Sequence, residues 1–206
     1  MRNEGEHSIE KFAFIGSESV GKSTMTGIFR NRFANNPRVA ILEEGAHLFF
    51  LSHPDLTDRS ARVQKQIQDF VLAREQEAYR PGIKLIMSDR SVIDPIVYAQ
   101  VYDTAENAAR LLGNVADWLS TYTSFALLDP SGVPHDMGPF RKETDEERLV
   151  IHNAFGEFCI KNNLPFVEIS GSLQERANRV EKILHEQVRD KTIFENSNHG
   201  SWTNQI

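Results

Sequence analysis

Gly16, Gly21, Lys22 and Ser23 stand at the spacing Gly-x-x-x-x-Gly-Lys-Ser within GSESVGKST, directly after the apolar run KFAFI. A chance match to that pattern in a chain of this length is on the order of 1%. The chemistry it suits is anion binding. Backbone N–H groups of a glycine-punctuated turn, followed by a helix N-terminus, converge on one point and favour phosphate. The loop Gly16, Ser17, Glu18, Ser19, Val20, Gly21, Lys22, Ser23 and Thr24 is therefore expected to cradle a nucleotide. Lys22 would neutralise the outer phosphates and the Ser23 hydroxyl would ligate Mg2+.

A magnesium–nucleotide site also needs a carboxylate at the end of a neighbouring strand, and IKLIMSD supplies Asp89 as the second expected metal ligand. Another apolar run, RVAIL, ends in Glu43 and Glu44. One of these, with Glu44 preferred, is expected to take or orient the proton of an attacking hydroxyl. Phosphoryl transfer further calls for arginines around the moving group. The Gly- and Pro-containing segment DPSGVPHDMGPFRKETDEER has the length of a lid and carries Arg141, with Arg148 as the reserve candidate.

The elements that must position these residues alternate. KFAFI, RVAIL, IKLIM, FALLD and PFVEI read as five short buried strands, separated by segments with apolar residues at helical spacing. Thr144 with Glu147 and Ser172 with Glu175 form capping boxes that start helices. Asp94 before Pro95 reads as an N-cap with proline at the first helical position. The pattern predicts an α/β fold: a P-loop NTPase with a five-stranded parallel sheet, helices on both faces and a lid segment. The expected division is an N-terminal extension over 1–10, a domain over 11–190 with its lid at about 130–148, and a flexible tail over 191–206.

Composition narrows the partners. A net charge of −6 with dispersed lysines and arginines argues against a nucleic-acid surface. No apolar stretch approaches the roughly 20 residues needed to span a bilayer. The single cysteine, Cys159, falls on an apolar helical face and suits a buried thiol in a reducing cytoplasm. The histidines lack the spacing of a helical zinc site. No Asn-Lys-x-Asp guanine motif is present, which favours ATP over GTP.

Together GSESVGKST, EEGAH, SDRSVIDPIVY and the arginine-bearing lid resemble the P-loop domains of the NadR/TRPL-translocation-defect type, over roughly residues 11 to 188. The ribosylnicotinamide kinase domain of NadR is the best-known member. The resemblance implies a nucleoside- and nucleotide-kinase-like fold with Lys22 and Ser23 on ATP and magnesium. Asp89-Arg90-Ser91 is also similar to the Asp-Arg motif of thymidylate and deoxynucleoside kinases, which implies that Arg90 holds the acceptor side. Asp94 and Tyr98 would face the acceptor if Asp94 is more than a cap. The sequence departs from the family where Gly45, Ala46 and His47 replace a tyrosine-alanine-arginine run, and where His135 follows Pro134 in place of tryptophan. The adenylyltransferase domain of NadR is not expected here. The expected activity is transfer of the ATP γ-phosphate to a hydroxyl of a nucleoside-like small molecule, nicotinamide riboside being one candidate. The alternative is a nucleotide-dependent switch that hydrolyses ATP or GTP slowly.

Overall fold

The computed structural model describes residues 9–43, 45–53, 56, 60–134 and 143–195. Five strands, β1 (Glu10–Ile15), β2 (Val39–Leu42), β3 (Leu85–Asp89), β4 (Ser124–Leu128) and β5 (Phe166–Ile169), form one parallel sheet in the order β2-β3-β1-β4-β5. The helices are α1 (Lys22–Arg32), α2 (Gly45–Ser52), α3 (Ala61–Ala78), α4 (Asp94–Tyr102), α5 (Ala105–Leu119), α6 (Asp145–Lys161) and α7 (Leu173–Gln187). The expected five-stranded, doubly covered P-loop architecture is the one observed.

β1 lies at the centre and is buried along its whole length. Alternation along the strand sends Phe12 and Phe14 to one face, where Met25 and Phe29 of α1 and Val180 and Leu184 of α7 meet them. Ala13 and Ile15 point to the other face, into the layer built from α3, α4, α5 and α6. Each large side chain buried in this way contributes about 1.5–3 kcal/mol.

Lys11 shares the face of Ala13 and is fully buried. Its ammonium pairs with Glu75 of α3 at 2.7 Å and sits 3.5 Å from the ring centroid of Tyr122 and 4.5 Å from that of Trp118. Glu75 is closed off by the Trp118 indole N–H and the Tyr122 hydroxyl. A charge in the central strand is thus tolerated because its partner and two aromatic faces replace water.

Both capping boxes form, at Thr144 and at Ser172. Three expectations change. Asp94 is not the N-cap of α4: its carboxylate turns back to accept from the Ser91 amide and hydroxyl, and Ile93 occupies the cap position. Glu10 opens β1 instead of belonging to an extension, because its amide is held by the Lys84 carbonyl. The body also extends past residue 190. Lys191–Phe194 makes a 3-10 turn capped by Asp190, and its Ile193 and Phe194 are buried against α1 and α7. Residues 196–206 lie outside the described residues.

Candidate active site

The loop 16–21 leaves β1 at the carboxyl edge of the sheet, and its path needs unusual backbone angles. Gly16 has φ 134°, and a Cβ there would stand 3.0 Å from the Leu128 carbonyl oxygen of β4. Only glycine fits so close a passage between strands. Ser19 at φ 55° and Gly21 at φ 90° complete the turn into α1.

Three side chains engage the loop carbonyls. The Lys22 ammonium donates to the Gly16 and Ser17 carbonyls at 2.9 and 2.5 Å. Arg148 of α6 donates to the Glu18 and Ser19 carbonyls, both at 3.2 Å. Arg176 of α7 donates to the Val20 carbonyl at 3.2 Å and to those of Asp129 and Gly171. A loop with its carbonyls engaged in this way, followed by a helix N-terminus, suits an anion nest. Ser23 and Thr24, on the first turn of α1, are exposed.

Asp89 is brought beside the loop by register, since it pairs with Phe14 of β1, and it is 3% exposed. The Ser23 hydroxyl and the Asp89 carboxylate are oxygen donors of the kind Mg2+ takes, and one or two protein ligands beside phosphate oxygens are its usual complement. The donor set fits the ion. Among the described residues no cluster of three His, Cys, Asp or Glu side chains is built to hold a metal.

Arg90 follows in the left-handed region at φ 71°, with its amide on the Phe14 carbonyl. A non-glycine residue held there costs on the order of 1 kcal/mol or more and marks a site whose surroundings enforce it. Its guanidinium lies 3.7 Å from Asp94 and 6.0 Å from the Tyr98 ring centroid. Burial pushes the Asp94 carboxyl up to about 6, against the opposing charges of Arg90 and Lys22. Arg90, Asp94 and Tyr98 are thereby gathered beside the carboxyl end of β3.

Of the acidic pair after β2, Glu43 is exposed and ion-paired with Arg30 at 2.7 Å, and Glu44 lies outside the described residues. So does Arg141, within 135–142. Arg148 is described and is 2% exposed, with its donors on loop carbonyls, on the Val133 carbonyl and on Asp145. Gly45 has a packing reason. A Cβ there would meet the Val71 side chain at 2.9 Å, so α2 lies close on α3.

Two residues at the site escape sequence reasoning. Arg176 falls in the apolar stripe of α7 with Ala177, Val180 and Ile183, and a charge inside such a stripe is a signal. Glu143, directly before the Thr144 cap, is 1% exposed and accepts from the Glu18 amide at 2.9 Å and from the Tyr98 hydroxyl at 2.6 Å. No spacing rule exposes that contact.

A family described as AAA domain matches residues 11–176. The chain belongs to this family. No curated sequence matches at a significant level. Among solved structures, NadR in complex with NR superposes with a TM-score of 0.68 at 17% identity, over 88% of this chain and 52% of that one. NadR in complex with NAD and AMP-PNP gives 0.64 at 16%, over 87% and 49%. Thymidylate kinase from Candida albicans gives 0.60 at 15%, over 87% and 92%. The AAA-domain chain thus has the NadR-like P-loop kinase fold, and it spans about half the length of the NadR chains.

Proposed function

We propose that the protein is an ATP-dependent kinase that transfers the γ-phosphate to a hydroxyl of a nucleoside or related small metabolite, with nicotinamide riboside as one candidate. The observation that supports it is the adjacency of two half-sites. The phosphate loop and the Arg90–Asp94–Tyr98 group meet because Asp89 is paired with Phe14, next to the start of the loop. A protein that only bound and slowly hydrolysed a nucleotide would have no need of the second half. The complexes of NadR with AMP-PNP and with NR favour ATP and a nucleoside-like acceptor.

In this reading the loop amides and Lys22 hold the phosphates, and Ser23 and Asp89 hold Mg2+. When bound, Mg2+ would supply neutralisation of phosphate charge. Glu44 receives or orients the acceptor proton, Arg90 holds the acceptor, and Arg141 approaches the transferred group. Arg148, with its donors on the loop carbonyls, keeps the cradle in shape.

Incubation with Mg-ATP and pooled nucleosides and cofactor precursors, followed by mass spectrometry, tests the proposal. A product heavier by one phosphoryl group supports it. ATP hydrolysis that no candidate acceptor changes supports the switch instead.

A further inference from the structure

We propose that Glu143 is an internal anion of the phosphate loop, a specificity-determining residue that competes with polyphosphate ligands and sets how tightly they are held. The inference rests on the loop being a nucleotide site and adds a control on that site.

The position is built from both sides. Thr144 caps α6 and fixes the backbone of the residue before it, while Arg148, one turn further on, grips the Glu18 carbonyl. Glu18 is thus held twice, through its N–H on Glu143 just before α6 and through its C=O on Arg148 within it. The second carboxylate oxygen is held by the Tyr98 hydroxyl. Burial, then the charges of Glu143 and Glu18, push that hydroxyl well above its ordinary range, so the tyrosine is the donor.

Among the described residues no lysine or arginine pairs with Glu143; its partners are an amide and a phenol. A buried carboxylate with no lysine or arginine partner among the described residues thus lies within hydrogen-bond distance of a loop suited to anions. Its field opposes every further negative charge brought to that loop, and in a poorly solvated setting such opposition is strong.

Calorimetric titration with Mg-ATP and with inorganic tripolyphosphate tests this on the parental protein and on Glu143→Gln. Glutamine keeps the Glu18 contact, its Oε1 accepting from the amide, and reverses the other, its Nε2 donating to the Tyr98 oxygen, so the charge is removed at nearly unchanged shape. The expected result is binding about tenfold tighter for both ligands. Equal or weaker binding by a folded Glu143→Gln variant overturns the proposal and leaves the nucleotide site standing. No binding of either ligand by either protein removes the nucleotide site and the proposal together. Should the variant fail to fold, the Glu18 amide resonance of the parental protein decides. A shift on saturation with tripolyphosphate supports competition at that amide, and an unmoved resonance overturns it.

Discussion

The Arg148 guanidinium lies 3.2 Å from the Ser19 carbonyl, so a helix residue late in the chain holds the outer wall of the loop that follows the first strand. Its other donors reach Glu18, Val133 and Asp145. Replacement by alanine would strip donors from three backbone carbonyls in a water-poor setting. Arg148→Ala is expected to lose about 2–4 kcal/mol of stability in urea denaturation and to weaken Mg-ATP binding as well. Arg148→Lys should not restore either, because one ammonium cannot span the fork of contacts.

Lys22 behaves differently. Its ammonium rests on carbonyls of its own loop, a short-range contact whose loss leaves the core intact. Lys22→Ala should keep the melting temperature within a few degrees of the parental value while lowering phosphoryl transfer by about 10²-fold or more. Differential scanning calorimetry beside a coupled ADP assay separates the two effects.

Asp94 gives a pH dependence of defined sign. Its carboxyl is raised from 3.8 to about 6 by burial, so between those values the folded protein holds a proton that the unfolded chain has released. Stability from this group is therefore full below about pH 4, falls as pH rises, and is lost above about pH 6, a change on the order of 3 kcal/mol. Asp94→Asn should flatten that slope. Denaturation midpoints at half-unit steps from pH 4 to 7 for both proteins give the difference directly.

Much of this arrangement is legible in the sequence, for identifiable reasons. Five apolar runs and Gly-x-x-x-x-Gly-Lys-Ser are local patterns, and local patterns fixed the strands, the loop and the order of helices. α2 is missed because GAHLFFLS is apolar all round and has neither a capping residue nor a polar face to reveal a period. Asp94 is misassigned because Asp-Pro fits a cap equally well until Ser91 is seen taking its carboxylate. Glu143 and Arg176 are separated from their loop partners by 125 and 156 residues, and pairing at that range leaves no mark in spacing.

The buried pair beneath β1 is also testable. Burial lowers the Lys11 ammonium to about 8 even with Glu75 beside it. Glu75→Ala would leave that charge without an anion and the Tyr122 and Trp118 donors without an acceptor, at an expected loss of about 3–5 kcal/mol. The double change Lys11→Met with Glu75→Leu should recover the part due to the unpaired charge, while the Tyr122 and Trp118 donors stay without their acceptor. Urea midpoints that fall equally for the single and double variants would contradict this account.

The position of β1 between β3 and β4, with β2 and β5 at the edges, ranks the parts of the site by how readily they open. The phosphate loop is continuous with the strand paired on both sides, so its amides are expected to exchange with deuterium only through global unfolding. β2, four residues long, half-buried and paired in the sheet with β3 alone, leads to Glu43 and is expected to open on a shorter timescale. The phosphate loop is thus expected to belong to a slow-exchanging unit of the fold, and the end of β2 with Glu43 to a faster one. A protein warmed toward its transition is expected to loosen the β2 edge before the loop that follows β1.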